Sequence, residues 1–348
     1  MSRLTQAGLL IVVATTGNAC SDIPSTPGPL GLRNAAIAAP HSLRVWGDNK
    51  SHQKSDAPSG PIKAVASGSF QSIALQPDGT PVLWGTRPII QGQPVGPGDI
   101  PAELENEKFI TVSLGRDDAV FRRPDGTLRF FGRRLTSVPA GAYSSATLAT
   151  GFGVAIDRFG SLTVWGPGAV NFGLVNAPTG GRFIDVSARV LYALALSEDG
   201  VLFGWGNGSA QGPDIFAGWA ATADAKNFYL PGQTFTMIAA GNAHALAVRP
   251  DGTVAGWGDN SGGALDAPPH IRFKAVSAGW GFSIGLSVDG TLWGWGKPFA
   301  LPNTTDAWTF ASEGWTPYDN GKYYYVAGDR FKSIAAGAFH VIALTNAF

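Results

Sequence analysis

Short apolar runs separated by Asp-Gly turns recur along the chain. In residues 244–258, HALAVRPDGTVAGWG, two such runs flank Pro250, Asp251 and Gly252. An Asp-Gly pair in this position is typical of a β-hairpin, because Gly adopts the positive φ of a tight turn freely and Asp does so at small cost. The pattern therefore predicts two antiparallel strands joined by this turn.

The same unit returns five more times with small changes. The copies read SIALQPDGTPVLWG, AVFRRPDGTLRFFG, GVAIDRFGSLTVWG, ALALSEDGVLFGWG and SIGLSVDGTLWGWG, at residues 72–85, 119–132, 153–166, 193–206 and 283–296. Partial units at residues 42–47 and 340–348 bring each half of the pattern to seven copies. A repeat with a period of about 40 residues is typical of a propeller or a solenoid.

Each complete unit also begins with an apolar strand that ends in small residues, as at 235–241 and 273–279. Small side chains suit the innermost strands of a propeller, which converge on its axis, and the aromatic residue of the third strand would be buried between blades. Residues 42–47 form a third strand without its first two, and residues 331–344 form the first two without a third. We therefore expect an all-β, seven-bladed β-propeller over residues 42–348, closed by pairing of the N- and C-terminal strands.

The motifs AAGxxH, DG and TVxxWGDN resemble the regulator of chromosome condensation repeat family. The resemblance is closest to the propeller-type β-lactamase inhibitory protein II, and it is strongest at residues 241–260 and 46–79. It is weakest between residues 119 and 166, where Phe131 replaces Trp in one copy and Phe159-Gly160 replaces Asp-Gly in the next. The resemblance implies a seven-bladed propeller that binds other proteins without catalysis, for example as an inhibitor or a scaffold.

The chain has few charged residues, and their signs balance. Lys and Arg together number 25, as do Asp and Glu, and charged residues make up 14% of the chain. Without a basic or acidic field there is little to attract nucleic acid or an anionic membrane surface, so neither is expected as a partner. The 47 Gly and 11 Trp residues suit a turn-rich β domain with ample apolar area, and we expect a monomer without a cofactor.

The N-terminus is predicted to be an export signal at residues 1–19. Arg3 precedes an apolar core at residues 7–15, which is shorter than the roughly 20 residues that span a bilayer. Cys20, the only cysteine, follows directly and resembles the lipidated cysteine of bacterial lipoproteins. Gly17 stands where Leu is usual, so a plain secretion signal is the alternative. The Pro/Ser/Ala-rich residues 20–41 would tether the domain to a membrane through the lipid alone, in an extracytoplasmic location.

Three polar patterns contain residue types used in catalysis or metal binding, and each is better explained by the repeat. Ser283, within the G-x-S-x-G motif at 281–285, aligns inside a strand instead of at the strand-to-helix turn of a nucleophile. His244 and His340 share one repeat position but belong to different units, without further ligands nearby at metal-site spacing, which favours strand-end residues bonded to a loop over a metal pair. The turn carboxylates fit turn chemistry rather than calcium binding: Asp78, Asp125, Asp199, Asp251 and Asp289. No catalytic or metal site is predicted.

Candidate binding residues lie where the repeat is irregular. Three connections are long, at 86–108, 208–234 and 297–330, and the last two are rich in aromatic residues. Long loops in compact repeats are usually functional or disordered, and the aromatic content argues against disorder. Trp and Tyr also dominate the energetics of protein interfaces. The candidates in these connections are Trp219, Phe228, Tyr229, Trp308, Trp315, Tyr318, Tyr323 and Tyr324. The alternative is that they pack as local cores or, at 323–325, form an extra strand.

A second candidate set follows the small-residue step near one end of the predicted ring: Phe70, Trp280 and Phe339. Together these residues predict a protein-binding module for an envelope or secreted protein. The alternatives are a glycan-binding surface protein, since aromatic rings stack on sugars, and a lyase or hydrolase with a site at the propeller mouth.

Overall fold

A computed structural model describes residues 42–49, 52–85, 100–116, 118–132, 134–171, 173–209, 213–297, 313–319 and 322–345. The predicted export signal and tether, with Cys20, lie outside these residues, as does Trp308. The described part contains 25 β-strands, and its two helices, α1 (Ala102–Glu105) and α2 (Pro167–Asn171), are each little more than one turn long. The all-β prediction is confirmed.

The strands of the described residues form seven antiparallel sheets. Five of them have three strands. Sheet 1 contains β2 (Ala64–Ser67), β3 (Gln71–Leu75) and β4 (Pro81–Gly85); sheet 2 contains β5 (Thr111–Leu114), β6 (Asp118–Arg122) and β7 (Leu128–Gly132); sheet 3 contains β8 (Tyr143–Leu148), β9 (Gly153–Asp157) and β10 (Leu162–Trp165); sheet 5 contains β16 (Met237–Ala240), β17 (His244–Val248) and β18 (Val254–Gly258); sheet 7 contains β24 (Phe331–Ala336), β25 (His340–Thr345) and β1 (Leu43–Gly47).

Two sheets have five strands, because the aromatic connections add a hairpin to each. Sheet 4 contains β11 (Phe183–Arg189), β12 (Tyr192–Ser197), β13 (Leu202–Gly206), β15 (Asn227–Tyr229) and β14 (Ala220–Ala221); sheet 6 contains β19 (Phe273–Ala278), β20 (Phe282–Ser287), β21 (Leu292–Gly296), β23 (Tyr323–Val326) and β22 (Trp315–Tyr318). The extra strand suggested at residues 323–325 is therefore present as β23.

The Asp-Gly turns join the second and third strands as the sequence predicts. In one of them the Asp251 carboxylate accepts the backbone N–H of Thr253 at 2.9 Å, and Gly252 has a φ of 81°. The turn also reaches the next sheet, because the Gly252 carbonyl accepts the backbone N–H of Phe273 at 2.8 Å. Equivalent bonds link Phe109 to Gly79, Tyr143 to Gly126, Phe183 to Gly160, Phe235 to Gly200 and Phe331 to Gly290. The recurring turn is thus a joint between sheets.

The first strand of each sheet packs against the first strand of the next. The strands β2, β5, β8, β11, β16, β19 and β24 contact one another in this order, and β24 also contacts β2. Serine hydroxyls strengthen three of these contacts by accepting backbone N–H groups of the following strand: Ser113 from Leu148, Ser187 from Ala240 and Ser277 from Ala336, at 2.8 to 3.0 Å. Small residues allow the backbones this close approach.

Three of the third-strand tryptophans are completely enclosed in the core, whereas Trp165 and Trp257 are partly buried. Trp84, Trp205 and Trp295 are fully buried, and each indole N–H donates to a backbone carbonyl in the connection that leads into its own sheet. The acceptors are Gln53, Leu174 and Ala264, at 2.8 to 2.9 Å and in every case 31 residues upstream. Each of these indoles therefore holds the preceding connection against its own strand.

Strand β1 completes sheet 7 from the other end of the described chain. It pairs with β25 in antiparallel register from Leu43 opposite Leu344 to Gly47 opposite His340. Trp46 lies in the core and contacts Phe331 edge to face, with ring centroids 5.8 Å apart.

Candidate functional site

The turns between the first and second strands of all seven sheets meet around one cavity of about 280 Å³, here called the mouth cavity. Every sheet contributes lining residues, which are Gly68, Ser69, Phe70, Gly115, Arg116, Ala149, Thr150, Arg189, Val190, Asn242, Trp280, Ala338 and Phe339. Backbone bonds join neighbouring turns, since Trp280 N–H donates to the Ala338 carbonyl and Ala338 N–H donates to the Gly68 carbonyl. The residues at the mouth are therefore held by the backbone of adjacent sheets.

Three predicted binding residues come together at this cavity. The Phe339 ring lies between the other two, with its centroid 5.6 Å from that of Phe70 and 5.0 Å from that of Trp280. Phe70 and Phe339 are half-buried, whereas Trp280 is 53% exposed. We call these three residues the mouth aromatic cluster.

Arg189 is a lining residue that sequence reasoning missed. It occupies the small-residue step, where the other six sheets carry Gly68, Gly115, Ala149, Gly241, Gly279 and Gly337. Its side chain is buried, and burial lowers the pKa of the guanidinium to about 10, which leaves it protonated at neutral pH. The available signal was a single Arg in a column of glycine and alanine.

The two repeat-position histidines are structural. The His340 Nε2 atom lies 2.7 Å from the Ser67 hydroxyl and 2.8 Å from that of Ser72, both on sheet 1. His244 Nε2 lies 3.0 Å from the Ser283 hydroxyl on sheet 6. We expected a bond to a loop, but the histidines instead bond to serines of strands or strand ends in the next sheet. Burial, followed by the charge of Arg189, lowers the pKa of His244 to about 4 and that of His340 to about 3.

The sequence predicts that Ser283 lies inside a strand and is not a nucleophile, and the structure agrees. It is buried inside β20, and its hydroxyl donates to the Ala264 carbonyl at 2.8 Å. Because that bond uses the hydroxyl proton, His244 acts as the donor in the Ser283 contact and is not positioned as its general base.

The two aromatic insertions reinforce the sheets. Trp219 packs edge to face on Trp257 of sheet 5 at 5.3 Å, and Trp315 packs in the same way on Trp46 of sheet 7 at 5.5 Å. In both cases the insertion covers the third-strand tryptophan of the next sheet. The Glu313 carboxylate also accepts the backbone N–H of Gly47 at 2.7 Å. These contacts favour the local-core alternative for Trp219 and Trp315.

The other insertion candidates lie on the added strands. Phe228 and Tyr229 are half-buried in β15, stacked on Phe216 and Phe203 respectively. Tyr323 and Tyr324 are buried in β23. Tyr318 is 43% exposed at the end of β22, so it is the candidate of the described insertions that offers a large accessible ring.

A buried carboxyl group stands apart from the mouth. Asp185 lies on β11 between sheets, and burial raises its pKa to about 8, so it is mainly protonated at neutral pH. A perturbed carboxyl group is often functional. Asp185 is nevertheless absent from the residues that line the mouth cavity within the described chain.

The raised pKa of Asp185 predicts a stability change with pH. The unfolded carboxyl titrates near 3.8 and the folded one near 8, so its contribution is complete below pH 4 and is lost as pH rises towards 8. Between pH 6.5 and 7.5 this loss approaches about 1.4 kcal/mol per pH unit at most. The buried His244 and His340 oppose it, because their unfolded forms titrate near 6.5 and stability rises as they lose that proton. Urea unfolding should therefore show a more negative pH slope of the unfolding free energy in the wild-type chain than in Asp185→Asn, which keeps both histidines. Equal pH slopes in the two chains would contradict the assignment.

Neither a membrane-spanning helix nor a cluster of metal ligands is present among the described residues. No helix in these ranges is long and apolar enough to cross a membrane. No group of three or more His, Cys, Asp or Glu side chains among the described positions is arranged to hold a metal ion.

The repeated sheets, each bonded to the next through its turn, are similar to those of a known class of repeat protein. Residues 236–264 and 273–299 match the family model described as the regulator of chromosome condensation (RCC1) repeat. These segments cover sheet 5 and the first three strands of sheet 6, and the remaining sheets repeat their arrangement. The match supports the family resemblance predicted from the sequence.

Particular relatives agree with this class. Human E3 ubiquitin-protein ligase HERC2 is 27% identical over 220 residues, which cover 58% of this chain and 4% of HERC2. The human probable E3 ubiquitin-protein ligase HERC6 is 35% identical over 85 residues, which cover 24% of this chain and 8% of HERC6. The chain therefore spans less than a tenth of the length of these curated relatives.

Solved structures show the same fold at low identity. Prp20p from Saccharomyces cerevisiae, described with its binding to Gsp1p and histones, is 15% identical with a TM-score of 0.65, and the match covers 90% of this chain and 93% of Prp20p. Human WBSCR16 is 16% identical with a TM-score of 0.64, and the match covers 88% of this chain and 99% of that one. This is an all-β chain of antiparallel sheets with the fold of RCC1-like propellers.

Proposed function

We propose that the seven sheets are the blades of one closed propeller, whose mouth binds another protein without catalysis. The contacts between successive first strands, including β24 with β2, support closure, as does the pairing of β1 with β25. A closed ring has no free sheet edge for unwanted strand pairing. It also holds the seven turns of the mouth in fixed relative positions.

The mouth aromatic cluster is the observation that carries the binding function. Trp280 presents a large ring to solvent beside a cavity, and the ring of Phe339 packs against it. Exposed aromatic residues of this kind, placed next to a pocket, supply most of the energy of many protein interfaces. The insertions contribute less to the proposed binding surface, because four of their aromatic side chains are buried: Trp219, Trp315, Tyr323 and Tyr324.

The partner is proposed to be an envelope or secreted protein. The similarity to Prp20p supports protein binding in general, and the proposed extracytoplasmic location is supported by the predicted export signal and the lipoprotein-like Cys20. An inhibitor or scaffold role follows from the resemblance to the β-lactamase inhibitory protein. Glycan binding remains the second candidate, because Trp280 could stack on a sugar, and a glycan array separates the two.

Crosslinked capture from envelope extracts tests this function. Trp280→Ser and Phe339→Ser are expected to weaken capture of the partner by at least about 30-fold, which corresponds to about 2 kcal/mol for an interface anchor. Phe159→Ser is the matched control, since Phe159 is 64% exposed and is not among the residues that line the mouth. Equal capture by all three variants and the wild-type chain would contradict binding at the mouth.

A further inference from the structure

The mouth cavity contains a buried cation without a counterion in the described structure. Arg189 is 7% exposed and lines the cavity, and neither a hydrogen bond nor a salt bridge joins its guanidinium to another described residue. The described lining residues include a second arginine, the exposed Arg116, but neither Asp nor Glu. A buried charge is costly to leave unpaired, so this site favours an anionic ligand.

The charge of Arg189, on sheet 4, influences side chains of two other sheets. Arg189 projects from the end of β11 on sheet 4, and its charge lowers the pKa of both His244 on sheet 5 and His340 on sheet 7. Both histidines are neutral at pH 7, so they add no competing positive charge and provide no anion for Arg189. Arg189 lines the same cavity as the turns of the other six sheets.

The backbone next to Arg189 is strained. Val190 has a φ of 44°, a left-handed conformation that is costly for a β-branched residue. Tyr192 anchors the other side of the turn, since its hydroxyl lies 2.9 Å from the carbonyl oxygens of both Gly241 and His244. Strain of this kind persists only where surrounding contacts impose it, so the turn that follows Arg189 is held in one conformation.

We infer that Arg189 binds a carboxylate side chain, Asp or Glu, of the protein partner, while an adjacent apolar residue of that partner packs on Trp280 and Phe339. This inference rests on the proposed function and names the chemistry of the partner. The planar guanidinium fork matches a carboxylate in a bidentate arrangement. A cavity of about 280 Å³ falls just below the usual range for small-molecule sites, and it suits a single inserted side chain.

Two short peptides test the inference on the full chain. The probes are N-acetyl-Phe-Glu-amide and N-acetyl-Phe-Gln-amide, which differ only in the carboxylate, with sodium acetate as a free anion. Affinity is measured by calorimetry, and the Arg189 side-chain Nε–Hε resonance is followed by NMR. The variants are Arg189→Gln, which removes the charge, Arg189→Lys, which keeps it, and Trp280→Ser. Loss of an unpaired buried charge is expected to leave thermal stability unchanged or higher, so Arg189→Gln should fold.

The Glu peptide is expected to bind wild-type protein at least about tenfold more tightly than the Gln peptide and to shift the Arg189 resonance. This ratio should fall to about one in Arg189→Gln and recover in part in Arg189→Lys. Equal binding of the two peptides, no binding of either at millimolar concentration, or an equal shift with acetate overturns the inference. If Trp280→Ser weakens both peptides equally while their ratio is one, the proposed function stands and the carboxylate inference fails. If Trp280→Ser changes neither, the proposed function fails as well.

Discussion

Removal of residues 42–47 is expected to abolish the cooperative unfolding transition of the domain. The deletion takes away β1, leaves the paired edge of β25 open, and removes the Trp46 ring from its contacts with Trp315 and Phe331. Loss of one buried tryptophan costs about 3–5 kcal/mol, and the opened edge adds unpaired backbone groups, against a typical total stability of about 5–15 kcal/mol.

The comparison is between chains that begin at residues 42 and 48. The longer chain should retain near-ultraviolet circular dichroism and a sharp urea transition, while the shorter one should show neither at 25 °C. An unchanged midpoint in the shorter chain would contradict closure by the N-terminal strand.

Substitution of Trp295 by Ala is expected to lower the free energy of unfolding by about 3–5 kcal/mol. The indole is fully buried, packs against Phe273 at 5.6 Å, and donates to the Ala264 carbonyl at 2.8 Å. Ser283 also donates to that carbonyl, so the loss comes mainly from the cavity that the missing ring leaves.

Trp280→Ala is the matched control for this substitution. It removes the same side chain from an exposed site, and its effect on stability should stay below about 1 kcal/mol. Urea unfolding of the two variants separates the core tryptophan from the surface one. Equal losses would show that burial of the third-strand tryptophan does not stabilise the fold as described.

The strands and turns were predictable because their signals are local. Asp251 and Gly252 specify a turn within a few residues, and the repetition of that turn reveals the number of units. The same repetition indicates that Ser283 is a repeat position and not a nucleophile, and that His244 is a repeat position and not a metal ligand. Their places inside β20 and β17 agree with this interpretation.

The role of the insertions could not be predicted, because it depends on contacts between distant parts of the chain. The sequence shows that Trp315 lies in an aromatic loop, but its packing partner Trp46 comes from the other terminus. An aromatic residue suits an interface and a core equally well by composition. Only the arrangement of sheets 6 and 7 shows that Trp315 covers the strand that completes sheet 7.

Arg189 was missed for a different reason. The copies that define the small-residue step, such as 235–241 and 273–279, end in Gly, whereas the equivalent strand of sheet 4 ends in Arg189. The exception in a repeated column was the informative position. Phe70, Trp280 and Phe339 were found because they follow the same step, although their contact across sheets 1, 6 and 7 required the structure.

Site-specific photocrosslinking tests binding at the mouth most directly. A benzoylphenylalanine residue is placed at Trp280 in one full-length chain and at Phe159 in another, and each is irradiated with the native envelope fraction. Binding at the mouth predicts one discrete protein adduct from position 280 that is lost when Phe339→Ser is added, and no such adduct from position 159. An adduct that forms from position 159 but not from position 280 would contradict it.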